Sequence, residues 1–211
     1  AASCSDDTMD TINKDNSNPP ADKVPAYLQI TDAIMSTGFT TTSGAYAWYI
    51  SSFTEQEFGS GNNQLMKTEL RNANELASST TYNNEWNGTY INLMNLKQIM
   101  EKTSTESTTA DAGQLDLYGM AQVLSALDFG VLTDLHGDIP CSEALQGLNN
   151  IQPSLDKQED VYAYIFATLD SAIENLTKAS EAGMENAGEQ DILYGNDLDQ
   201  WIAAAYALKA R

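Results

Sequence analysis

The strongest constraint on the fold is the helical spacing of apolar residues in the second half of the chain. Segment 154–183 carries one apolar stripe, formed by Val161, Ile165, Leu169, Ala172, Ile173 and Leu176. Segment 83–102 carries another, formed by Trp86, Tyr90, Leu93, Leu96 and Met100. Steps of three and four residues place these side chains on one face of an α-helix, and that face must be buried against another element. No stretch shows the alternation of a β-strand, so we expect an all-α fold.

Five further segments show helical spacing, namely 22–36, 43–59, 65–76, 110–132 and 198–211. In the first, the expected apolar positions are Val24, Tyr27, Leu28, Ile34 and Met35. Ser154 or Asp156 is expected to cap the helix at 154–183, and Asp197 or Asp199 the last helix. Small residues on the apolar faces, which let helices approach closely, are Ala121, Ala172 and Ala205. The pattern predicts stacked helical hairpins of the tetratricopeptide type with long loops, although the usual repeat of about 34 residues is not clean.

The charge balance argues against several functions. The 211 residues include 30 acidic and 10 basic side chains, for a net charge of −20. Such a surface repels phosphate backbones, so we expect no nucleic acid partner, and it also argues against a domain held on anionic lipid by basic patches. No apolar run of about 18 residues exists, so no helix is expected to span a membrane. The two cysteines, Cys4 and Cys141, do not indicate a disulfide framework.

The start of the chain has the composition of a tether. Three small residues precede Cys4 in the opening AASC, and polar, acidic and turn-forming residues follow as far as Pro19-Pro20. Small residues before a cysteine suit a lipoprotein cleavage site, after which acyl chains on the cysteine anchor the protein in a membrane. The alternative is an accidental cysteine in a disordered tail. We therefore expect a tether over 1–21 and a helical domain over 22–211, the latter being the N-terminal part of a longer protein.

The stretch LTDLHGDIPCSEALQG, residues 132–147, contains the single histidine and one cysteine. His136 and Cys141 could form a base and a thiol nucleophile, but no third group that would orient the histidine is evident. The alternative is a structural corner, in which Gly137 and Pro140 end one helix and Asp138 caps or braces the turn. We favour the corner and expect no catalytic residue. Acidic clusters elsewhere lack the spacing of a calcium loop, so we predict neither a metal site nor a cofactor.

Aromatic residues beside amides are the best candidates for ligand contact. Two short segments combine them, and the predicted ligand-binding residues are Trp48, Tyr49, Tyr82, Asn83, Asn84 and Trp86. Aromatic faces and amide groups suit sugar rings or peptide groups. For Trp86 the competing interpretation as a core residue is the stronger one. For Tyr82, ligand contact and plain surface have equal weight.

Four segments, in order, resemble the SusD/RagB family of outer-membrane lipoproteins. EWNGTYINLMNLKQIM is similar to the family's Trp-x-x-x-Tyr helix, and LTDLHGDIPCSEALQG to its Gly-Asp-Ile/Val-Pro corner. A family helix that ends Leu-Asp-x-Ala-Ile-x-x-Leu is resembled by PSLDKQEDVYAYIFATLDSAIENL. The family's Tyr-Gly-Gly-Asp segment and the helix after it are resembled by DILYGNDLDQWIAAAYALKAR. The chain departs from the pattern at His136, where an aromatic is common, at Cys141, where Tyr is usual, and at Asn196, which replaces the second Gly.

The resemblance implies a binding protein rather than an enzyme. Members of this family lie on the cell surface over a SusC-type TonB-dependent transporter and capture glycans or, in one branch, oligopeptides. Cys4 would carry the lipid anchor to the outer membrane, and Thr8 and Thr11 fit an Asp-Ser/Thr-apolar acceptor pattern for O-glycosylation. The alternative function is a helical-repeat scaffold that binds a protein partner in the cell envelope. A hydrolytic enzyme is the weakest hypothesis.

Overall fold

The computed structural model describes residues 23–60, 64–69 and 82–211. The helices, in chain order, are α1 (Ala26–Ser36), α2 (Ala45–Phe53), α3 (Gln64–Glu69), α4 (Asn83–Thr103), α5 (Leu115–His136), α6 (Gln158–Glu181) and α7 (Leu198–Ala210). A π-helix, Thr37–Thr42, continues α1, and short 3-10 turns cover Gly147–Asn149 and Gly188–Gln190. Within the described residues, strand-like pairing is limited to one bridge between Ile139 and Asp156. The prediction of an all-α fold is confirmed.

α5 is the central helix. It packs against α4 on one side and α6 on the other, while α1 packs on α4 and α7 packs on α6. The chain is therefore a stack of helical hairpins, as the sequence predicted. We expected no helix that could span a membrane, because the sequence has no uninterrupted apolar run of sufficient length. By length and composition alone, however, α5 is long and apolar enough to do so. Within the fold, 78% of the most apolar stretch of α5 is buried, and such burial is typical of the core helix of a globular domain.

The predicted apolar stripes of α4 and α6 form much of the core. The buried members are Leu93 and Leu96 on α4, and Val161, Ile165, Leu169, Ala172 and Leu176 on α6. The three small residues expected at close helix contacts are also fully buried. Gly119 on α5 adds a closer contact, since a Cβ atom there would lie 2.5 Å from Leu176 Cγ. Helices α5 and α6 approach closely because this position has no side chain.

The buried face of α1 differs from the predicted one. Tyr27, Leu28 and Met35 are exposed by 39%, 47% and 43%, although we expected them in the core. The buried positions are Ala26, Ile30, Ala33 and Ile34, which follow helical spacing but include two alanines. The prediction was right for Ile34 but wrong for Tyr27, Leu28 and Met35, because it followed the size of the apolar side chains, whereas α1 also packs through two alanines.

Helix capping also corrects the sequence analysis in part. α6 begins after Lys157 with no side-chain cap, so neither Ser154 nor Asp156 has the expected role. Instead, Asp138 Oδ1 accepts a hydrogen bond of 3.0 Å from the backbone N–H of Gln158, the first residue of α6. Asp197 caps α7 as predicted, because its carboxylate accepts from the backbone N–H of Gln200 at 3.2 Å.

Candidate functional site

The stretch after α5 is a structural corner, and Asp156 holds it together. The Asp156 carboxylate accepts from the backbone N–H groups of Cys141 and Ser142, both at 2.8 Å, and from the Ser142 hydroxyl at 2.6 Å. Cys141 is 9% exposed, and burial raises the pKa of its thiol to about 12. The thiolate needed for nucleophilic attack is therefore disfavoured. His136 hydrogen bonds to Tyr46, so the Cys141–His136 pair lacks the properties of a nucleophile and its base.

His136, at the last position of α5, borders a cavity of about 330 Å³. We call it the aromatic cavity. Its lining residues come from α2, from the start of α4 and from the end of α5, and are Tyr46, Tyr49, Ile50, Phe53, Tyr82, Asp134, Leu135 and His136. On α2 the lining residues recur at helical spacing, which places them on one face. The cavity thus lies between one face of α2, the start of α4 and the end of α5.

The rings of the aromatic cavity pack edge to face and in offset stacks. Tyr49 and Tyr82 meet edge to face with centroids 4.4 Å apart, and Tyr46 and Tyr82 stack at 6.1 Å. His136 packs edge to face against Trp86 at 4.9 Å, from the side of α4. A hydrogen bond of 2.8 Å joins the Tyr46 hydroxyl to His136 Nε2. These contacts hold the rings in a fixed arrangement, with polar atoms placed among aromatic faces.

Tyr82 owes its position to an unusual backbone conformation. It precedes α4 with φ of 67° and ψ of −4°, in the left-handed region that favours glycine. A side chain in this conformation is strained, and such strain persists only where surrounding contacts hold it. Here those contacts are the rings of Tyr46 and Tyr49. The strained backbone therefore supports the assignment of the aromatic cavity as a functional site.

Burial keeps the ionisable rings of the aromatic cavity uncharged. It lowers the pKa of His136, so the imidazole is neutral at physiological pH. It raises the pKa of Tyr82 to about 12, with a further contribution from Tyr49, and it also raises the pKa of Tyr46. The carboxylate of Asp134 accepts hydrogen bonds from the Tyr162 hydroxyl and from Arg211. The aromatic cavity therefore offers neutral hydrogen-bonding groups rather than an unpaired charge.

The structure brings some of the predicted ligand-binding residues together. Tyr49 and Tyr82 line the aromatic cavity, and half-buried Trp86 contacts its His136 wall while packing on the core. Asn83 and Asn84 are exposed at the start of α4, next to Tyr82. Trp48 is 59% exposed and does not line the aromatic cavity, because it lies on another face of α2.

Six of the eight lining residues were not among the predicted contacts, and two of these six, Tyr46 and His136, form the hydrogen bond in the cavity wall. Tyr46 shares a short segment with Trp48 and Tyr49, and its spacing of three residues from Tyr49 could have indicated it. His136 was assigned to the corner alone. Its signal was its place at a position where the resemblance predicts an aromatic ring, and the structure shows it packing as one.

Two larger depressions lie between α4, α5 and α6. Their volumes are about 620 Å³ and 700 Å³, and their shared lining residues are Lys97, Met100, Glu101 and Tyr164. They are open grooves, and none of the predicted ligand-binding residues lines them. We therefore place the candidate site in the smaller aromatic cavity, where predicted residues, ring packing and backbone strain coincide.

Comparison with known proteins agrees with this architecture. Residues 29–211 match the SusD-like family model described as "Starch-binding associating with outer membrane". A crystal structure of a SusD/RagB family protein from Bacteroides thetaiotaomicron superposes with a TM-score of 0.78 at 38% sequence identity, over 89% of this chain. No curated protein matches significantly. The chain belongs to the SusD-like family.

A second solved structure shows the same fold at lower similarity. It is a chitin-binding SusD homolog from Flavobacterium johnsoniae, with a TM-score of 0.57 and 22% identity over 85% of this chain. In both solved structures the match covers 37% of the other chain. The chain therefore spans little more than a third of the length of these two relatives.

Proposed function

We propose that this chain is the N-terminal part of a cell-surface binding protein that captures glycans, or oligopeptides, and delivers them to a SusC-type TonB-dependent outer-membrane transporter. The aromatic cavity on a SusD-like fold is the observation that carries the proposal. Binding of this kind needs no activated nucleophile, which agrees with the raised pKa of the Cys141 thiol. We accordingly propose a non-enzymatic role.

The chemistry of the aromatic cavity favours a neutral ligand. Its walls present ring faces, which suit the apolar faces of sugars, and hydroxyl and imidazole groups, which suit hydroxyl or amide groups. Its volume of about 330 Å³ is at the lower end of the range for small-molecule sites, so it accepts one unit of a chain rather than an extended segment. The exposed side chains of Trp48, Asn83 and Asn84 are proposed to contact neighbouring units outside it.

The membrane attachment belongs to the proposal as well. Cys4, as the lipidation site, and Thr8 and Thr11, as O-glycosylation sites, lie outside the described residues. Mass spectrometry of the protein isolated from its native membrane tests all three positions. Acyl chains on Cys4 and glycans on Thr8 and Thr11 are expected, and a free, unmodified Cys4 would remove the anchor from the proposal.

Isothermal titration with defined ligands tests the binding function. The probes are maltooligosaccharides, chitooligosaccharides and a set of neutral peptides, added to the full-length protein. We expect one class to bind, and we expect Tyr49→Ala to weaken that binding at least fivefold, since loss of one stacked ring costs about 1–3 kcal/mol. Tyr206→Ala is the control, because that exposed tyrosine lies on α7, away from the aromatic cavity. Equal losses in the two variants would contradict the assignment of the site.

One observation favours the alternative of a protein-binding scaffold. Three aliphatic side chains on the loop after the corner are strongly exposed, Leu148 by 96%, Ile151 by 76% and Leu155 by 65%. Exposed apolar patches often mark contacts with other proteins. Purification from native membranes separates the two functions. A transporter partner together with ligand binding supports capture and delivery, whereas a partner without binding of any probe supports the scaffold.

A further inference from the structure

Asp128 is a fully buried carboxyl group in the middle of α5. Its partner is Asn92 on α4, whose Nδ2 donates to Asp128 Oδ2 at 2.8 Å, to Thr37 Oγ1 at 2.9 Å and to the Ala33 carbonyl at 3.3 Å. Among the described residues, the other oxygens of this pair, Asn92 Oδ1 and Asp128 Oδ1, have no hydrogen-bond donor. Both atoms are buried acceptors without a donor, on side chains that are already joined by one hydrogen bond, and a single added proton would supply the missing donor.

The neighbouring elements supply no cation to an ionised Asp128. The π-helix Thr37–Thr42 has no ionisable side chain, and those of α1 are Tyr27 and Asp32, both exposed. On α4, Glu85 lies near the helix start, and Lys102 bonds to the Val24 carbonyl at the far end.

The lysine closest in sequence to Asn92 also points elsewhere. Lys97 is five residues further along α4, about 140° around the helix axis, and donates to the Leu145 carbonyl at 2.7 Å. Its neighbour Glu101 lies one turn further on. On α5 itself, Asp116 and Asp134 lie nearer the two ends of the helix, and Asp134 is paired with Arg211. Lys178 on α6 and Lys209 on α7 are paired with Glu174 and Asp170, and His136 at the end of α5 bonds to Tyr46. A charged Asp128 would therefore be buried without a counterion, which is strongly unfavourable.

We propose that Asp128 is held as a neutral carboxylic acid, with the proton on Oδ1 donated to Asn92 Oδ1, and that its ionisation loosens the π-helix packed over it. The proton comes from solvent and returns to solvent on ionisation. With the bond from Asn92 Nδ2 to Asp128 Oδ2, the acid and the amide form a closed ring in which both orphaned oxygens are satisfied. Burial, opposed by hydrogen bonds from Asn92, Thr41 and Thr37, raises the pKa of Asp128 to about 7.

The position of the π-helix connects this proton to the candidate site. Only Ser43 and Gly44 separate Thr42 from α2, which carries Tyr46 and Tyr49 of the aromatic cavity. Loosening of the π-helix therefore loosens one wall of the aromatic cavity. This consequence rests on the proposed function, whereas the protonation of Asp128 does not.

Urea unfolding between pH 5 and pH 8 tests the proposal. A carboxyl whose pKa is higher in the folded state favours folding at low pH, and that contribution is lost as pH rises through the folded value. With an unfolded pKa of about 3.9, the unfolding equilibrium constant should rise roughly a hundredfold over this range because of Asp128 alone. The variant Asp128→Asn should lack this rise, because its amide N–H can donate to Asn92 Oδ1 at every pH.

A matched control distinguishes ionisation from simple loss of a buried group. Asp116 is also fully buried on α5, but its carboxylate accepts from the backbone and side-chain amides of Asn186 at 2.6 Å and 2.9 Å. Asp116→Asn should therefore lower stability by a similar factor at pH 5 and pH 8. If Asp128→Asn instead runs parallel to the wild type across this range, Asp128 is ionised throughout and the proposal is wrong.

Carbon-detected NMR of the wild-type carboxyl groups tests the protonation of Asp128 without a variant. One aspartate still protonated at pH 6 supports the proposal, and full ionisation of all aspartates at that pH overturns it. Titration with Na⁺, K⁺ and Ca²⁺ provides the remaining test. Stabilisation by one of these ions that disappears in Asp128→Asn would show that the two oxygens share a cation, which also overturns the proposal.

Discussion

Replacement of Tyr82 should separate the stability of the fold from ligand binding. The residue combines two opposing contributions, a strained backbone with φ of 67° and a ring packed on Tyr46 and Tyr49. Tyr82→Ala removes the ring but keeps a Cβ atom in the left-handed conformation. Tyr82→Gly removes both the ring and the strain. Comparison of the two variants therefore isolates the backbone contribution.

The structure sets the size of each contribution. Each aromatic pair contributes about 0.5–1.5 kcal/mol, so loss of the contacts to Tyr46 and Tyr49 should destabilise Tyr82→Ala by about 1–3 kcal/mol. A left-handed conformation costs a residue with a Cβ atom about 1–2 kcal/mol, which glycine does not incur. Tyr82→Gly should therefore be more stable than Tyr82→Ala by about 1 kcal/mol, the reverse of the order inside a helix. Both variants should lose ligand affinity equally, since both lack the ring.

Urea denaturation measures the stabilities, and titration with the ligand of the wild-type protein measures the affinities. Lys157 provides the control, because it precedes α6 in the same position but with an ordinary φ of −66°. The preference for glycine over alanine should be about 1 kcal/mol smaller there than at Tyr82. Equal preferences at the two positions would refute the assignment of strain to Tyr82. Unchanged affinity in both Tyr82 variants would refute its role in the aromatic cavity.

Three further changes test other parts of the structure. Asp191 is 1% exposed, and its carboxylate accepts hydrogen bonds from three backbone N–H groups and, at 2.7 Å, from Trp201 Nε1. Asp191→Asn should therefore lower the free energy of unfolding, measured in urea, by about 2–4 kcal/mol. In the same assay, Gly119→Ala should lower the free energy of unfolding by about 1–3 kcal/mol, because the added methyl group clashes with Leu176. Gly130→Ala on the same helix is the control, because a Cβ atom has room there and should not be destabilising. Burial lowers the pKa of His136, so protonation of His136 opposes folding as pH falls below about 6.5, with a sign opposite to that of Asp128; a thermal unfolding series should show the wild type losing stability relative to His136→Phe over that range.

The sequence was sufficient to predict the architecture because the central helices bury long apolar stripes. Leu93 and Leu96 on α4, and Val161 and Leu169 on α6, lie in the core as their spacing indicates. On α1, where alanines share the contact, the size of the apolar side chains was misleading. α1 packs through Ala26 and Ala33 together with Ile30 and Ile34, whereas Tyr27, Leu28 and Met35 point outward.

The candidate site could be predicted in part. Tyr49, Tyr82 and Trp86 were selected because aromatic rings stand beside amides in short segments. The bond between Tyr46 and His136 joins residues 90 positions apart, and no local pattern reports such a pair. The left-handed backbone of Tyr82 is equally invisible in the sequence, because a tyrosine does not indicate that conformation as a glycine would.

The corner after α5 connects the core to the aromatic cavity. Gly137, with φ of 75°, ends α5, and Asp156 fixes the segment that follows, so His136 is held at the last position of a rigid central helix. A ring at that position meets Tyr46 and Trp86 whatever its chemistry. Where the family resemblance predicts an aromatic residue, this chain has an imidazole, which keeps the ring packing and adds a hydrogen bond to Tyr46. The imidazole therefore adds a polar contact to the aromatic cavity while its ring packs against Trp86 and Tyr46.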